Sequence, residues 1–343
     1  MTTRDELDAL LDPRVRQFFR TQPDVAVTDV MDRDEMLAEV ASPEGRAMLL
    51  AEAMFMDRGD SEEVAPSTGL RFSTIDVVSS PDQNVITLYV VRPDDDAVRA
   101  CVYYIHGGAM AGLSCTYGSF RTWARLIAAH GVVVVMVEFR NAVSPSTVRD
   151  VAPFPAGLND CVSGLRFVHG HAADLGVDAQ RIVVSGESGG GNLSIATVLR
   201  LTRDGGVGLV KGLYVFCPFI NGTWPDPRYP SSTAYRELLS DVTCNRGRIG
   251  YGIDAFNARD PLAWPGFATR DDVAGFPPTV VSVNECDPLR DEGVAFYRLL
   301  LSAGVTARGR EALGTLHATE MYPTICPEIS RDAARELATF AMN

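Results

Sequence analysis

Apolar positions in the first sixty residues recur at helical spacing. Leu7, Leu10, Leu11, Val15, Phe18 and Phe19 form one set; Met48, Leu49, Leu50, Met54 and Phe55 form another. Each set predicts an amphipathic helix whose apolar stripe must be covered by another part of the chain. A polar, acidic stretch lies between them, so residues 1–65 are expected to form a helical extension. From about residue 72 the period changes. Strand-like runs occupy 72–79, 84–92, 100–105, 132–137, 181–185, 213–217, 279–284 and 306–312. Helical segments fall at about 118–130, 157–170, 190–203, 291–303 and 327–342.

The first two strands are joined through Ser80-Pro81-Asp82-Gln83-Asn84, short enough for an antiparallel hairpin. The run Val132–Val137 is apolar on both faces, as parallel strands covered on both sides are. Strands alternating with helices predict an α/β fold: one mostly parallel, eight-stranded sheet with helices on both faces. Residues 218–275 break this rhythm. They hold Trp224-Pro225-Asp226-Pro227, Tyr229-Pro230, Asp260-Pro261 and Trp264-Pro265, and they are too long for a bare loop. An insertion is expected there, able to form a cap together with the N-terminal helices.

Composition narrows the functions. The chain has 343 residues, and its 31 Lys+Arg against 44 Asp+Glu give a net charge of −13. No stretch gathers the basic residues into a stripe, which argues against nucleic acid and anionic membrane as partners. An apolar content of 46% excludes disorder as the dominant state. The seven cysteines are odd in number and scattered, with no C-x-x-C pair. They read as free thiols of a reducing, cytoplasmic compartment. The charged N-terminus lacks the apolar core of a signal peptide, and Val132–Val137 is too short to span a bilayer.

The chemistry gathers around Gly186-Glu187-Ser188-Gly189-Gly190, a G-x-S-x-G pattern between a β-branched strand and a helical segment. In that context a sharp strand-to-helix turn exposes the serine as a nucleophile. The serine needs a base. His130, His169 and His171 sit at helix ends, and His106 opens a glycine turn. His317 follows the last strand, at the sheet end where ligands meet parallel strands, and is the candidate base. After the strand ending at Asn284, three acids compete to orient it: Glu285, Asp287 and Asp291. Pro288 keeps Asp287 extended, whereas Asp291 fits a first-turn helix acid. Asp287 is therefore favoured, giving the chain order Ser188, Asp287, His317. The turn His106-Gly107-Gly108-Ala109 follows another strand and could aim backbone N–H groups at a developing oxyanion, together with Gly189.

These residues resemble the hormone-sensitive-lipase-like branch of the α/β-hydrolases, bacterial carboxylesterases that carry H-G-G-G upstream of G-D-S-A-G-G. The resemblance spans roughly 80–343 and includes Glu138-Phe139-Arg140, Phe154-Pro155-Ala156-Gly157-Leu158-Asn159-Asp160 and Asp287-Pro288-Leu289-Arg290-Asp291-Glu292-Gly293. It implies an α/β-hydrolase fold with residues 1–65 as a helical cap segment. Residues 66–343 would then be the catalytic domain, with 218–275 as a cap insertion. It further implies Ser188 as nucleophile, His317 as base and Asp287 as its partner, without metal or organic cofactor. The oxyanion hole would comprise Gly107, Gly108, Ala109 and Gly189, with Gly107 shaping the turn. Ala109 stands where the family has a third glycine, Glu187 replaces the usual Asp, and Ala318-Thr319 replace Gly-Phe. The implied substrates are small esters of short or medium acyl chains, and the implied assembly is a homodimer through the last strand or helix. A serine peptidase or amidase, a noncatalytic receptor on this fold and a purely structural protein are the alternatives. Activity is expected to rise as His317 loses its proton and to flatten above neutrality.

Overall fold

The computed structural model describes residues 7, 9–21, 27–239 and 242–343. Its centre is one eight-stranded sheet: β1 (Leu70–Val78), β2 (Val85–Pro93), β3 (Arg99–Ile105), β4 (Val133–Glu138), β5 (Val177–Glu187), β6 (Gly212–Phe216), β7 (Thr279–Cys286) and β8 (Ala307–Leu316). Their spatial order is β1-β2-β4-β3-β5-β6-β7-β8. The β1–β2 and β2–β4 pairs are antiparallel, and all the others are parallel.

Side-chain alternation makes two apolar faces. Tyr103, Ile105, Val133, Val135, Val184 and Val215 face one layer, built from helices at Ala156–Gly170, Ser188–Arg203 and Arg290–Ser302. Val102, Tyr104, Val134, Met136, Val183 and Phe216 face the other, built from helices at Gly118–Ala128 and Pro327–Met342. Neighbouring residues on a strand point to opposite faces, so a run apolar at every position requires cover on both.

The N-terminal region departs from the expectation in two ways. Besides α1 (Pro13–Arg20), the acidic stretch is itself a helix, α2 (Arg33–Ala41), followed directly by α3 (Pro43–Asp57). Asp32 caps α2 by accepting from the Glu35 N–H at 2.9 Å, and Ser42 caps α3 by accepting from Gly45 at 2.9 Å. The apolar stripe of α3 is also only partly covered: Met56 is buried, while Met48, Leu50 and Met54 remain 61%, 63% and 57% exposed. Residues 1–6 and 8, within the expected helical extension, lie outside the described residues.

The N-terminal region also meets the 218–275 insertion. Asn245 donates from its N–H to Asp29 at 2.8 Å and exchanges side-chain bonds with Val30 N–H and C=O at 2.9 and 2.8 Å. Arg246, at the start of a helix over Arg246–Asn257, pairs with Glu39 at 2.5 Å. Arg33 reaches the carbonyl of Ala142, just beyond β4.

Beneath the carboxyl end of β4 lies a buried ion pair. Arg140 donates from its backbone N–H and Nε to Asp160 Oδ2 at 3.0 and 2.8 Å, and from Nη2 to Asp82 at 2.6 Å. Asp160 is fully buried. This pair anchors Phe139, whose ring stacks on His106 at 4.3 Å between centroids. Replacing Asp160 by Ala would leave the guanidinium buried without its main partner. Asp160→Ala is expected to lose about 3–5 kcal/mol of unfolding free energy, read from urea transitions. A change within 0.5 kcal/mol, the range of ordinary surface substitutions, would contradict the buried-pair argument.

Candidate active site

Five parallel strands deliver their next residues to one rim of the sheet. β3 ends before His106, β5 before Ser188, β6 before Cys217, β7 before Asp287 and β8 before His317. Glu187 pairs with Phe216 across β5 and β6, so Ser188 and Cys217 leave adjacent strands side by side.

Ser188 occupies the left-handed region at φ 54°, where the chain reverses from β5 into its helix. That conformation costs a non-glycine residue of order 1–3 kcal/mol and holds the side chain above the sheet. Two glycines make the reversal possible. A Cβ on Gly186 would lie 2.4 Å from the Ile105 carbonyl oxygen, and one on Gly190 would lie 2.0 Å from the same atom.

Of the three competing acids, Asp287 meets the imidazole. Its Oδ2 lies 2.8 Å from His317 Nδ1, and its Oδ1 accepts from the Leu289 N–H at 2.8 Å. Glu285 instead accepts from the Gly314 N–H at 2.7 Å, and Asp291 from the Ser231 N–H at 2.8 Å. Burial pushes the His317 pKa down, but the Asp287 charge outweighs it and holds the imidazole well above its usual 6.5. Among the described residues, no hydrogen bond joins the Ser188 hydroxyl to His317. The buried Cys217 thiol lies against that ring instead. Such nucleophile–base contacts are commonly loose without substrate.

The glycine turn sits beside the elbow. A Cβ added to Gly189 would lie 2.7 Å from the Ala109 nitrogen and 2.5 Å from the Met110 nitrogen, so these amides approach the residue after Ser188 closely. Gly108, Ala109 and Met110 all have positive φ, at 99°, 54° and 58°. The Gly107 N–H points elsewhere, donating to Glu187 Oε1 at 2.5 Å. Gly107 therefore shapes the turn and has no N–H left for a substrate oxygen. A groove of about 400 Å³ lies at the opposite end of the strands among Lys211, Pro278, Arg308 and Phe340, and shares no residue with this rim.

Residues 102–321 match the alpha/beta hydrolase fold family. Carboxylesterase NlhH of Mycobacterium tuberculosis is 30% identical over 93% of this chain and 97% of its own length. The esterase Est22 superposes with a TM-score of 0.97 at 50% identity, over the whole of both chains. Brefeldin A esterase, described as a bacterial homologue of human hormone-sensitive lipase, gives a TM-score of 0.84 at 33% identity, over 97% of this chain and 93% of its own. The chain belongs to the hormone-sensitive-lipase-like branch of the α/β-hydrolases.

Sequence reasoning left three groups of this hydrolase without roles. Glu187 is buried, and its carboxylate accepts from both Gly107 N–H and the Tyr104 hydroxyl. Burial raises its pKa to about 7, against the lowering effect of those two hydrogen bonds. It ties the glycine turn to the elbow directly before Ser188. Glu138, also buried, accepts from the Cys115 N–H at 2.9 Å and the Thr147 hydroxyl at 2.9 Å, 4.0 Å from His106 Nε2. Cys217 is the third; with Asp287 and His317 it brings one donor atom each within 4.8 Å of the others, a set able to hold a metal ion. A buried carboxylate flanking a motif was the available signal for the first two, but their partners lie 80 and 23 residues away.

Removing the Glu187 carboxylate frees the turn to drift, and misplacement of about 1 Å costs roughly 100-fold in rate. Glu187→Ala is expected to lower kcat on that scale with KM nearly unchanged, while Glu187→Asp retains most activity. Steady-state kinetics on one ester check this; a matching loss in Glu187→Asp would overturn the turn-anchoring role.

Proposed function

We propose that this hydrolase cleaves small carboxylic esters of short to medium acyl chain through an acyl-enzyme formed on Ser188. The observation that carries the reading is the 2.8 Å His317–Asp287 hydrogen bond on the rim that also bears the strained Ser188 elbow. Ser188 attacks the ester carbonyl as His317 takes its proton. The N–H groups of Gly108, Ala109 and Gly189 receive the oxyanion, each donor contributing about 3–4 kcal/mol to the transition state. His317 protonates the departing alcohol, and water activated by the same imidazole then releases the acid. Asp287 fixes the imidazole tautomer and stabilises its charged form. Apart from the substrate and water, each step uses side chains and backbone of this chain.

Residues 1–65 and 218–275 act together as a cap over the rim, with the Asn245 and Arg246 contacts as support. Phe18 and Phe55 from the N-terminal helices meet Tyr322, five residues beyond His317, at ring distances of 5.6 and 6.1 Å. An aromatic cluster this near His317 would limit the depth open to an acyl chain, which supports short and medium esters. Seven free cysteines support a reducing, cytoplasmic setting, and no described helix is long and apolar enough to cross a membrane. Pairing of two copies through the edge strand β8 would cover Leu313, which is 71% exposed.

Ser188→Ala should fold as the parent does and lose turnover of p-nitrophenyl butyrate by about a millionfold. Substantial residual turnover would point to another nucleophile, and faster cleavage of a peptide anilide than of the ester would overturn the ester assignment. The base works only as neutral imidazole, and the Asp287 charge holds the imidazolium. The rising limb of kcat/KM against pH is therefore expected on the alkaline side of 6.5, later than the sequence suggests. In Asp287→Asn the limb should move down towards 6.5; a limb unmoved by that substitution would exclude His317 as the titrating base.

A further inference from the structure

Cys217 is buried at the active rim, yet no step of the hydrolysis uses it. It follows β6 in the left-handed region at φ 34°, and its N–H donates to the Ser282 carbonyl at 2.8 Å. Its sulfur is therefore held in place beside the imidazole. Among the described residues, Cys217, Asp287 and His317 are the one cluster in which three metal-capable donors lie within 4.8 Å of one another.

We propose that Cys217 Sγ and His317 Nε2 together form a binding site for a divalent cation of zinc or cadmium type, and that its occupation reversibly inhibits the enzyme. The proposal rests on the assignment of His317 as base, since an imidazole engaged by a metal cannot take the Ser188 proton.

The donor set fits the ligand class. Thiolate and imidazole together select borderline and soft cations over magnesium or calcium. Zinc bonds of about 2.3 Å to sulfur and 2.0–2.1 Å to nitrogen, at a tetrahedral angle, need donors about 3.6 Å apart. One donor atom from each residue of the cluster lies within 4.8 Å of the others, so only a small side-chain adjustment separates them from that spacing. The second layer fits as well. Asp287 holds Nδ1 at 2.8 Å and leaves Nε2 as the free donor, the carboxylate–imidazole arrangement that orients metal-binding histidines. Binding displaces the thiol proton to solvent, so the bound state holds a thiolate, a neutral imidazole and the cation. Water fills the remaining positions.

The test uses the full chain in metal-free buffer, titrated with cadmium chloride and separately with zinc chloride. Two signals are read: the ultraviolet thiolate-to-cadmium charge-transfer band, and p-nitrophenyl ester turnover. One equivalent of cadmium is expected to bring up the band and suppress turnover, and EDTA to reverse both. In Cys217→Ser and Cys217→Ala the band should vanish. The inhibiting concentration, taken relative to each variant's own metal-free rate, should rise at least about tenfold. Cys244→Ser, at the half-exposed thiol, should behave as the parent. Persistence of band and inhibition without the Cys217 thiol would overturn the proposal, as would their absence in the parent at millimolar metal. The metal-free turnover is a separate readout: its loss would count against the esterase assignment, whereas the band alone reports the metal site.

Discussion

Parallel pairing of β3 and β5 through β8 is the constraint on which the site depends. Parallel strands share a direction, so every chain leaves the sheet at the same rim. Residues as distant as His106, Ser188, Asp287 and His317 become neighbours without any loop having to carry them there. The register does the rest. Pairing of Glu187 with Phe216 and of Cys286 with Leu316 sets which residues emerge together. A slip of one position would turn each side chain to the opposite face.

The rim is stabilised from beneath by buried carboxylates, each answered by donors. Glu187 ties the glycine turn to the elbow, and Glu138 receives the Cys115 N–H and Thr147 hydroxyl near the buried His106. Glu292 accepts from Ile220 and Asn221 N–H groups and from the Trp224 indole at 2.7, 3.1 and 2.6 Å, fixing the start of the insertion. Burial raises the Glu292 pKa to about 8, a sign of how much the site asks of the fold. An unanswered buried carboxylate is costly, so loops that supply its N–H donors are held in one conformation. The acids thus turn irregular backbone into a rigid frame for the glycine turn.

Much of the fold was legible because local chemistry and global pairing agree. All eight strands and the five helices of the two covering layers stand where period and apolar content put them. Asp287 was separable from its neighbours because Pro288 keeps it extended at a strand end, a purely local effect. The helix at Arg33–Ala41 was missed because its charged surface gives almost no apolar period; the punctuation of Asp32 and Ser42-Pro43 was the readable signal. The exposed Met48, Leu50 and Met54 show the limit of stripe arguments, since spacing says which residues share a face but not whether that face finds cover. Glu187 and Cys217 were illegible as site residues for another reason. Their roles come from partners far along the chain, and no local pattern carries that information.

The geometry that would make His317 a base would also make it a metal ligand. A carboxylate on Nδ1 raises the electron density offered at Nε2, and a proton and a cation compete for that lone pair. Serine beside the imidazole offers a metal little, because a neutral hydroxyl is a poor ligand. A thiol changes the balance, since it can give up its proton and bind through sulfur. Burial opposes this by keeping the Cys217 pKa near 11, so the thiol stays protonated, and harmless to turnover, until a cation strong enough to displace that proton arrives.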